Sequence, residues 1–412
     1  MTGPHLSPHT LLITDAGRGS AIAFIRSLGY RGWRVIAADS DTRSPGFYSR
    51  YTSKRLVYPA PESAPREFIL AILQIVRETG VDLIIPVTDA AIFPLSEARA
   101  QFVGLCQLAM PDEAQLEVVT NKLKTLELAE RVGVPTPRSM LVHTAQEAVE
   151  CWQDQDWPVV LKPRASRLYR EQSAVEAFTV TYAGDRRQLQ QQMQRFEGRC
   201  AVLLQEYYPG EGHGVELLMY QGLPLMAFQH KRLREVPFSG GVSAFRESAP
   251  LDPQMYDYSV RLLQALNWTG LAMVEFKLGQ DGPQLMEING RVWGSLPLAV
   301  RSGVDFPTGL AELYLDGAPQ QAGRPNTDYV IGVRARNLEL DIAWIASVLL
   351  SKRPFPFLKS PTRKQGLAAL LGLLNPSSKF DILSTDDPWP GLADIFKIIR
   401  KSGRNLRERD KR

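Results

Sequence analysis

The segment from Val274 to Arg291, VEFKLGQDGPQLMEINGR, most constrains the fold of this chain of 412 residues. At its centre, Gly279–Gly282 places glycine and aspartate between two runs of alternating apolar residues, which is typical of a β-hairpin. If the turn centres on Asp281, Glu275 and Glu287 are each six residues away and face one another. Directly opposed residues have Cβ atoms about 4.5–5.5 Å apart. The segment therefore predicts a close pair of carboxylates.

The two faces of this hairpin differ in chemistry. Because successive side chains of a strand alternate, Asn289 and Arg291 fall on the same face as Glu287. The opposite face is apolar and is expected to pack on a core; its members are Val274, Phe276, Met286 and Ile288. The polar face thus combines two carboxylates, an amide and a guanidinium.

A cation between the two carboxylates would offset their repulsion, which otherwise destabilises a hairpin. Oxygen ligands without Cys or His favour Mg²⁺ or Mn²⁺ over zinc. Because Mg²⁺ is usually held by one or two carboxylates together with substrate phosphates, a nucleotide is its expected companion. One alternative stays open, in which this face is solvated and Lys277 and Arg291 are its counter-ions.

Composition and charge narrow the class of protein. Apolar residues make up 44% and charged residues 22% of the chain, which excludes wholesale disorder and fits two or three globular domains. The net charge is +4, but Lys397–Arg412 holds eight Lys or Arg against two acidic residues, which leaves −2 for the rest. Nucleic acid is therefore not an expected partner of the body.

Cysteine usage and the absence of a recognisable leader bear on location. The three cysteines, Cys106, Cys151 and Cys200, are widely spaced and predict neither a disulfide framework nor a zinc site. Free thiols fit a reducing compartment, and neither a signal peptide nor a long apolar run is evident. We therefore expect a cytoplasmic protein.

Three regions of the chain differ in their patterns. Buried strands alternate with amphipathic helices from Thr10 to Pro111, which predicts an α/β domain with a parallel, doubly wound sheet. Helices and antiparallel hairpins follow, and predict an α+β domain with two lobes; after about Gln320 the pattern predicts a small, mainly helical extension. The expected bounds are 1–112 for the first domain, 113–320 for the second, with lobes of about 113–204 and 205–320, and 321–412 for the extension.

Glu275 and the run Glu287-Ile-Asn289-x-Arg291 resemble the metal-binding hairpin of the ATP-grasp superfamily of carboxylate–amine ligases. Further segments resemble the same family in the expected order, namely TNKLKTLELAERVGVPTP, WPVVLKP, LLQEYYPGEG and FQHKRLREVPFSGGVSAFRESAP. The last segment is similar to one found in glycinamide-ribonucleotide and carbamoyl-phosphate synthetases. The first region matches the Rossmann-like domain that precedes ATP-grasp domains, so the resemblance covers Thr10 to about Leu315.

The resemblance implies roles for individual residues. It implies that the metal ligands are Glu275, Glu287 and Asn289, and that the residues acting on substrate are Arg291, Lys231 and Arg232. It implies nucleotide contacts from Lys122, Lys162, Gln205, Glu206, Tyr207, Tyr208, Glu211, Gly240, Gly241 and Ser243. The acidic residue that binds the ribose stays open between Glu211 and Glu216.

The family resemblance also implies a reaction and its cofactors. ATP, with Mg²⁺ or Mn²⁺, would phosphorylate a small-molecule carboxylate, and an amine would then displace the phosphate. Two alternatives remain. The turn after the first strand carries Gly17 and Gly19 with Asp39 about twenty residues on, a partial dinucleotide-binding pattern that would suit an oxidoreductase. The chain could instead be a catalytically silent ATP-binding partner protein.

Three features of the sequence depart from the resemblance or lie beyond it. The loop after Lys162, RASRLYREQ, lacks the glycine run that many relatives fold over the phosphates. The last ~90 residues have no counterpart in the minimal fold; their short apolar helices predict a helical cap or a homodimer contact. The tail from Lys397 has a thin apolar face, which favours a solvated, frayed terminus over contact with an anionic membrane.

Overall fold

The computed structural model describes most of the chain. The described residues are 9–152, 157–163, 167–170, 173–177, 180–238, 240–317, 322–350, 357, 360–375 and 377–409. Within these ranges the strands form four sheets, of five, four, seven and two strands. Residues 164–166 and 171–172 of the loop after Lys162 lie outside the described residues, so the expectation for that loop stays a prediction.

The first sheet is built from strands that are apolar on both faces, such as Leu11–Ile13, which is fully buried. Its strands are β1 (Thr10–Ile13), β2 (Arg34–Asp39), β3 (Lys54–Val57), β4 (Leu83–Ile85) and β5 (Gln107–Leu108), and its helices are α1 (Gly19–Tyr30), α2 (Pro65–Thr79) and α3 (Asp89–Glu97). All strands pair in parallel in the order β3-β2-β1-β4-β5. The parallel, doubly wound sheet expected for this region is confirmed.

A smaller lobe follows, and it packs around its own core of Trp152, Leu189 and Leu204. The two helices before it, α4 (Glu113–Thr120) and α5 (Lys122–Arg131), pack instead in the buried cluster of Trp268 in the larger lobe. Its own helices are α6 (Ala145–Cys151) and α7 (Arg186–Met193). Its strands are β6 (Ser139–Val142), β7 (Val159–Pro163), β8 (Arg167–Arg170), β9 (Ser173–Ala177), β10 (Thr181–Ala183) and β11 (Val202–Glu206). Four of them form an antiparallel sheet in the order β10-β7-β11-β6, while β8 pairs with β9.

The larger lobe is built on the seven-stranded sheet. Its strands are β12 (Glu211–Tyr220), β13 (Leu223–Val236), β14 (Val242–Ser248), β15 (Gly270–Gly279), β16 (Gly282–Asn289), β17 (Arg334–Arg336) and β18 (Ser378–Phe380). The order is β16-β15-β12-β13-β14-β17-β18, and β16 and β15 are the hairpin predicted from the sequence. Helices α8 (Pro253–Ala265), α9 (Leu296–Arg301) and α10 (Phe306–Leu315) pack against this sheet.

One apolar core joins the first sheet to the larger lobe. Phe24 of α1 belongs to the same buried cluster as Trp293, Phe306 and Leu310. The other face of the large sheet packs against α8 through a separate cluster that includes Trp268 and Leu262. The first domain and the larger lobe are thus packed together, whereas the smaller lobe has its own core. The boundaries near residues 112 and 320 stay a prediction.

The C-terminal extension is mainly helical, as expected, but it also adds strands β17 and β18 to the large sheet. Its helices are α11 (Leu338–Leu350), α12 (Arg363–Gly372) and α13 (Pro388–Arg409). The expectation of a frayed terminus is wrong as far as Arg409, because the tail is the second half of α13, whose first half packs on the short 3₁₀ helix Pro45–Tyr48. A homodimer contact through these helices stays a prediction. In the described ranges, every helix is too short or too polar to cross a membrane.

Asp387 fixes the start of α13 to the first domain. Its buried carboxylate accepts hydrogen bonds from Arg26 Nε at 3.0 Å, Ser49 Oγ at 2.7 Å and the Arg50 amide at 3.0 Å. Arg26 Nη2 also donates to the Asp387 carbonyl oxygen at 2.8 Å. Removal of this carboxylate would leave all three donors without their buried acceptor, so we expect the position of the extension to depend on Asp387.

We expect Asp387→Ala to lower the free energy of unfolding by about 3 kcal/mol, the cost of leaving the partners of a buried ion pair unpaired. Chemical denaturation monitored by circular dichroism measures this effect. Asp386→Ala is the matched control, because it removes the same charge from an exposed neighbour. Equal stability of the two variants would show that the Asp387 contacts do not hold the extension in place.

Candidate functional site

The hairpin of β15 and β16 brings the two predicted carboxylates together. Glu275 pairs directly with Glu287, and Met273 pairs with Asn289, in antiparallel register. The pairing then shifts, since Phe276 faces Leu285 and Met286 is left as an extra residue in a β-bulge. The opposed carboxylates are as expected, but the bulge produces them, since the pairing of Gly279 with Gly282 alone would place Met286 opposite Glu275.

The bulge corrects the expected position of Met286. The sequence pattern places Met286 on the core face, but Leu285 takes that place and is 1% exposed. Met286 instead lines a cavity on the polar side of the hairpin. A bulge adds one residue to a strand and so re-aims the side chains beside it. Val274, Phe276 and Ile288 are buried in the core, as expected.

Hydrogen bonds hold the two carboxylates in place. Asn289 Nδ2 donates to Glu275 Oε1 at 3.0 Å and to Glu287 Oε1 at 3.1 Å. Arg232 Nη2 lies 2.5 Å from Glu275 Oε1, and Arg232 Nη1 donates to Glu235 Oε1 at 3.0 Å. Two carboxylates, one amide and one guanidinium thus converge at the polar end of the hairpin.

The two carboxylates differ in acidity. Burial raises the pKa of Glu275 to about 7; the opposed Glu287 adds to the rise, and Arg232 counteracts it. Burial alone would also raise the pKa of Glu287, but Lys122, the Asn289 hydrogen bond and Lys162 together lower it. The site therefore holds Glu287, whose ionised form is favoured, beside Glu275, which is partly protonated near pH 7.

A cavity of about 420 Å³ opens between this hairpin and the smaller lobe, within the range of small-molecule sites. Its apolar lining is Phe93, Val119, Leu126, Leu203, Leu285, Met286 and Ile288. Its polar lining includes Asp89, Thr120, Lys122, Thr125, Lys162, Gln205, Glu287, Asn289 and Arg291. Apolar walls with a few convergent charged groups are typical of a binding site.

Two lysines line the cavity with Glu287, one from α5 and one from the smaller lobe. Lys122 is the first residue of α5, where the Asn121 side chain accepts from the Leu123 amide. Lys162 lies near the end of β7. Burial lowers the pKa of Lys162 to about 8 and also lowers the pKa of Lys122, while Glu287 opposes both shifts. Buried cations beside a carboxylate in a cleft are typical of functional sites.

Comparison with known proteins finds a family profile that matches part of the chain. The profile of the family described as "ATP-grasp in the biosynthetic pathway with Ter operon" matches residues 199–337, which include the hairpin and the paired carboxylates. The chain carries an ATP-grasp domain. The family and fold class expected from the sequence are thereby confirmed.

Relatives of this ATP-grasp chain are distant. It is 24% identical over 271 residues to a formate-dependent phosphoribosylglycinamide formyltransferase of Ignicoccus hospitalis, with 61% of each chain covered. The chain thus spans about 61% of the length of that curated relative. The match is to only part of the relative, so its whole activity does not transfer directly.

Solved structures show the same fold. An L-amino acid ligase from Bacillus licheniformis aligns with a TM-score of 0.57 at 17% identity, covering 74% of both chains. The biotin carboxylase domain of the Hydrogenobacter thermophilus 2-oxoglutarate carboxylase, solved with MgADP, ADP and bicarbonate, aligns with a TM-score of 0.61 at 17% identity. That alignment covers 80% of this chain and 74% of the other. At this level of identity the likeness concerns the ATP-grasp fold alone.

The structure brings together only part of the residue set that the resemblance implies. The members that line the cavity are Lys122, Lys162, Gln205, Glu287, Asn289 and Arg291, and Glu275 and Arg232 join them through the contacts above. Glu206, Tyr207, Tyr208 and Glu211 lie beyond Gln205, outside the lining of the cavity. These assignments remain predictions.

The tyrosines after Gln205 pack on protein. Tyr208 Oη donates to the Gly282 carbonyl oxygen at 2.8 Å. The Tyr207 ring lies edge-on to Tyr182, with Lys277 Nζ 5.2 Å from its centroid. Both rings therefore contact the β15–β16 hairpin, Tyr207 at Lys277 and Tyr208 at Gly282.

The segment from Lys231 to Ser243 splits between two faces. Lys231 Nζ bonds Glu247 at 2.9 Å on β14, away from the carboxylate pair, whereas Arg232 reaches Glu275. Arg232 Nη1 also donates to the Gly241 carbonyl oxygen at 3.1 Å. Gly240 precedes β14 and Ser243 is its second residue, and both lie outside the cavity lining. Of the expected cations on β13, only Arg232 touches the carboxylate site.

The sequence alone did not reveal the partner of Arg291. Arg291 Nε donates to Asp89 Oδ2 at 2.9 Å, and its Nη1 donates to the Val292 carbonyl oxygen at 3.0 Å. Asp89 follows the carboxyl end of β4, the edge where parallel sheets bind ligands, and this signal could have found it. The first domain therefore positions a guanidinium at the rim of the cavity.

The glycine turn after β1 is closed by the protein itself. Asp39 Oδ2 accepts from the Gly17 amide at 2.7 Å and from Ser44 Oγ at 2.9 Å. A Cβ atom added at Gly19 would lie 3.1 Å from Asp381 Cβ of the C-terminal extension. Asp39 is thus used by its own turn, and the extension covers the place where a dinucleotide would approach. The oxidoreductase alternative has no support here.

Glu216, one of the two candidates for the ribose contact, lies outside the cavity lining, and its assignment stays a prediction. Glu216 is fully buried in the large sheet, where its carboxyl accepts from Ser295 Oγ at 2.9 Å and lies 2.9 Å from His230 Nδ1. Burial raises the pKa of Glu216 to about 8 and lowers that of His230 well below 6.5. At pH 7 this contact therefore joins a neutral carboxyl to a neutral imidazole.

The Glu216 carboxyl predicts a pH dependence of stability. Because its pKa is raised in the folded state, its protonated form stabilises the fold, and this contribution is lost as the pH rises toward 8. Below about pH 6.5 the lowered pKa of His230 acts in the opposite direction. Above it the shifted pKa values of Glu275 and Lys162 contribute with opposite signs, so the effect of Glu216 is the difference between the wild type and a variant that lacks this carboxyl.

We expect the free energy of unfolding of the wild type to fall by about 2 kcal/mol more than that of Glu216→Gln between about pH 6.5 and about pH 8.5. Glu216→Gln, which keeps the shape and removes the ionisation, should lower the slope by this amount. Glu211→Gln, on the same strand but exposed, should leave it unchanged. Denaturant titrations at the two pH values measure the effect, and parallel slopes for all three proteins would contradict it.

Proposed function

We propose that this protein is an ATP- and Mg²⁺-dependent ligase that activates a small-molecule carboxylate and transfers it to an amine. The observation that carries the proposal is the opposition of Glu275 and Glu287, with Asn289 and Arg291 beside them in a cavity that is also lined by two half-buried lysines. The names of the relatives support it, since formate is a carboxylate and an amino acid ligase joins a carboxylate to an amine.

The donor set fits a hard divalent cation. Two carboxylates and an amide fill only part of an octahedral set, which leaves positions for phosphate oxygens and water, the usual arrangement of Mg²⁺. Mn²⁺ suits the same oxygen donors. Rotating the Asn289 amide by half a turn would present its oxygen to the cation, because the two amide orientations are nearly isosteric. When bound, the cation would neutralise the phosphates and offset charge on the leaving ADP.

The cavity divides into an apolar part and a cationic part that suit a nucleotide. Met286 and Leu203 would offer apolar contact for the base. Gln205 lines the same cavity, and its Nε2 donates a hydrogen bond to Ser139 Oγ at 2.9 Å. Lys122 and Lys162 point positive charge at the position of the phosphates. Burial lowers the pKa of both lysines, and a bound phosphate would raise it again, because a nearby anion favours the protonated form.

The reaction proceeds in two displacements. A carboxylate oxygen attacks the γ-phosphorus of ATP and ADP leaves, which gives an acyl phosphate. The amine nitrogen then attacks the acyl carbon, phosphate leaves, and the nitrogen loses a proton to solvent. Arg291, held by Asp89, is placed to grip the carboxylate and the oxyanion that forms on amine attack.

We also propose a cytoplasmic location, on the odd number and wide spacing of the three cysteines, and small-molecule acid and amine substrates. The acid and the amine themselves follow from a screen for ADP formation over pairs of acids and amines. ATP binding without ADP formation for every pair would contradict the ligase assignment while leaving the nucleotide site intact.

We expect Glu287→Gln to lower the rate of ADP formation by about 10²–10³-fold, because the cation loses a charged ligand where transition-state charge develops. Asp281→Asn removes the same charge from the exposed turn of the same hairpin and serves as the control. A coupled assay of ADP release measures both. Unchanged turnover of Glu287→Gln would contradict the role of the carboxylate pair.

The bulge gives a second prediction. Met286→Ala should weaken binding of Mg²⁺-ATP about tenfold, the loss of one apolar contact with the base, with little change in stability. Leu285→Ala, one residue away, should instead lower the free energy of unfolding by about 2–5 kcal/mol, since Leu285 is in the core. Isothermal titration calorimetry and denaturation measure the two effects. The reverse pattern would show that β16 lacks the bulge.

A further inference from the structure

Helix α13 presents an apolar stripe that no described part of the protein covers. Trp389, Leu392, Phe396 and Ile399 are 63%, 41%, 72% and 63% exposed. Their spacing of three, four and three residues places them on one side of a helix. Exposed apolar residues scattered singly are normal, but four on one helical face form a patch that indicates an interaction surface.

The opposite side of α13 is the side that holds it to the protein. Ile398 is 9% exposed, and Lys401 Nζ lies 2.5 Å from Glu339 Oε1 of α11. Lys397 points toward the turn at Gly17, and Asp387 fixes the start of the helix. The apolar stripe therefore faces outward because the other face is anchored.

The charge of this helix selects among the possible partners. Residues 397–412 hold eight Lys or Arg and two acidic residues, a net charge of +6, while the rest of the chain sums to −2. A second copy seated on the stripe would bring +6 against +6. An anionic partner is favoured instead, and it must also accept apolar side chains.

An anionic membrane surface has both properties. Helices with an apolar face and a Lys/Arg-rich polar face lie in the plane of the bilayer interface, where tryptophan is enriched. Each Lys or Arg near an anionic leaflet adds to the attraction. The sequence of the tail from Lys397 does not show this stripe, because α13 begins at Pro388 and three of the four exposed apolar residues precede Lys397.

We propose that α13 docks this protein on anionic phospholipid membranes, with Trp389, Leu392, Phe396 and Ile399 inserted at the interface and the net positive charge of residues 397–412 attracting the anionic headgroups. The docking is separate from the cavity and does not depend on the ligase reaction. It would hold a soluble-substrate enzyme at a lipid surface without a spanning helix.

The test is flotation of the full chain with phosphatidylcholine vesicles that contain about 30% phosphatidylglycerol, which gives the surface a negative potential. We expect binding to these vesicles and at least about tenfold less to pure phosphatidylcholine. Binding should also fall when NaCl is raised to about 1 M, where the Debye length is about 3 Å.

The variant Phe396→Ser/Ile399→Ser should bind anionic vesicles at least about tenfold more weakly, because two inserted side chains are lost. Val330→Ser/Ile331→Ser is the matched control, since these residues are 62% and 56% exposed on another surface. Circular dichroism melting should show both variants folded, because all four side chains lie at the surface.

Three results would overturn the proposal. The first is no binding to anionic vesicles. The second is equal binding to neutral and anionic vesicles, which would remove the role of the basic residues. The third is a concentration-dependent dimer, measured by sedimentation, that does not bind vesicles and that Phe396→Ser/Ile399→Ser abolishes. The stripe would then be an interface between copies of the chain.

Discussion

The repulsion between Glu275 and Glu287 is the constraint on which the site depends. The hairpin register sets the two carboxylates side by side, and the surrounding protein neutralises them only in part. Asn289 and Arg232 hold Glu275, Lys122 and Lys162 favour the ionised form of Glu287, and the pKa of Glu275 still rises to about 7. A hairpin with such unbalanced charge is one that a divalent cation and its nucleotide would complete.

The fold brings to this hairpin the groups that it lacks. The smaller lobe has its own core and supplies Lys162 to the cavity, while α5, which packs in the larger lobe, supplies Lys122. The first domain shares a core with the larger lobe, and Asp89 at the end of its sheet holds Arg291. The C-terminal extension closes the glycine turn and continues the large sheet, which leaves the cavity as the place for a nucleotide.

Features encoded over a few neighbouring residues could be predicted from the sequence, and features set by distant contacts could not. The turn at Gly279–Gly282 lies where the sequence predicts it, but its register alone would place Met286 opposite Glu275, and the bulge is what brings Glu287 opposite Glu275. The bulge at Met286 arises from how β16 packs on its neighbours, and the Arg291–Asp89 pair joins residues 202 apart in sequence. The apolar stripe of α13 depends on where that helix begins and which face it buries.

The most direct test of this account is a crystal structure with a non-hydrolysable ATP analogue and Mn²⁺, whose anomalous scattering marks the cation. The account predicts a cation between Glu275 and Glu287, with the phosphates directed at Lys122 and Lys162 and the base beside Met286. A nucleotide bound elsewhere, or a cation signal away from this carboxylate pair, would contradict it.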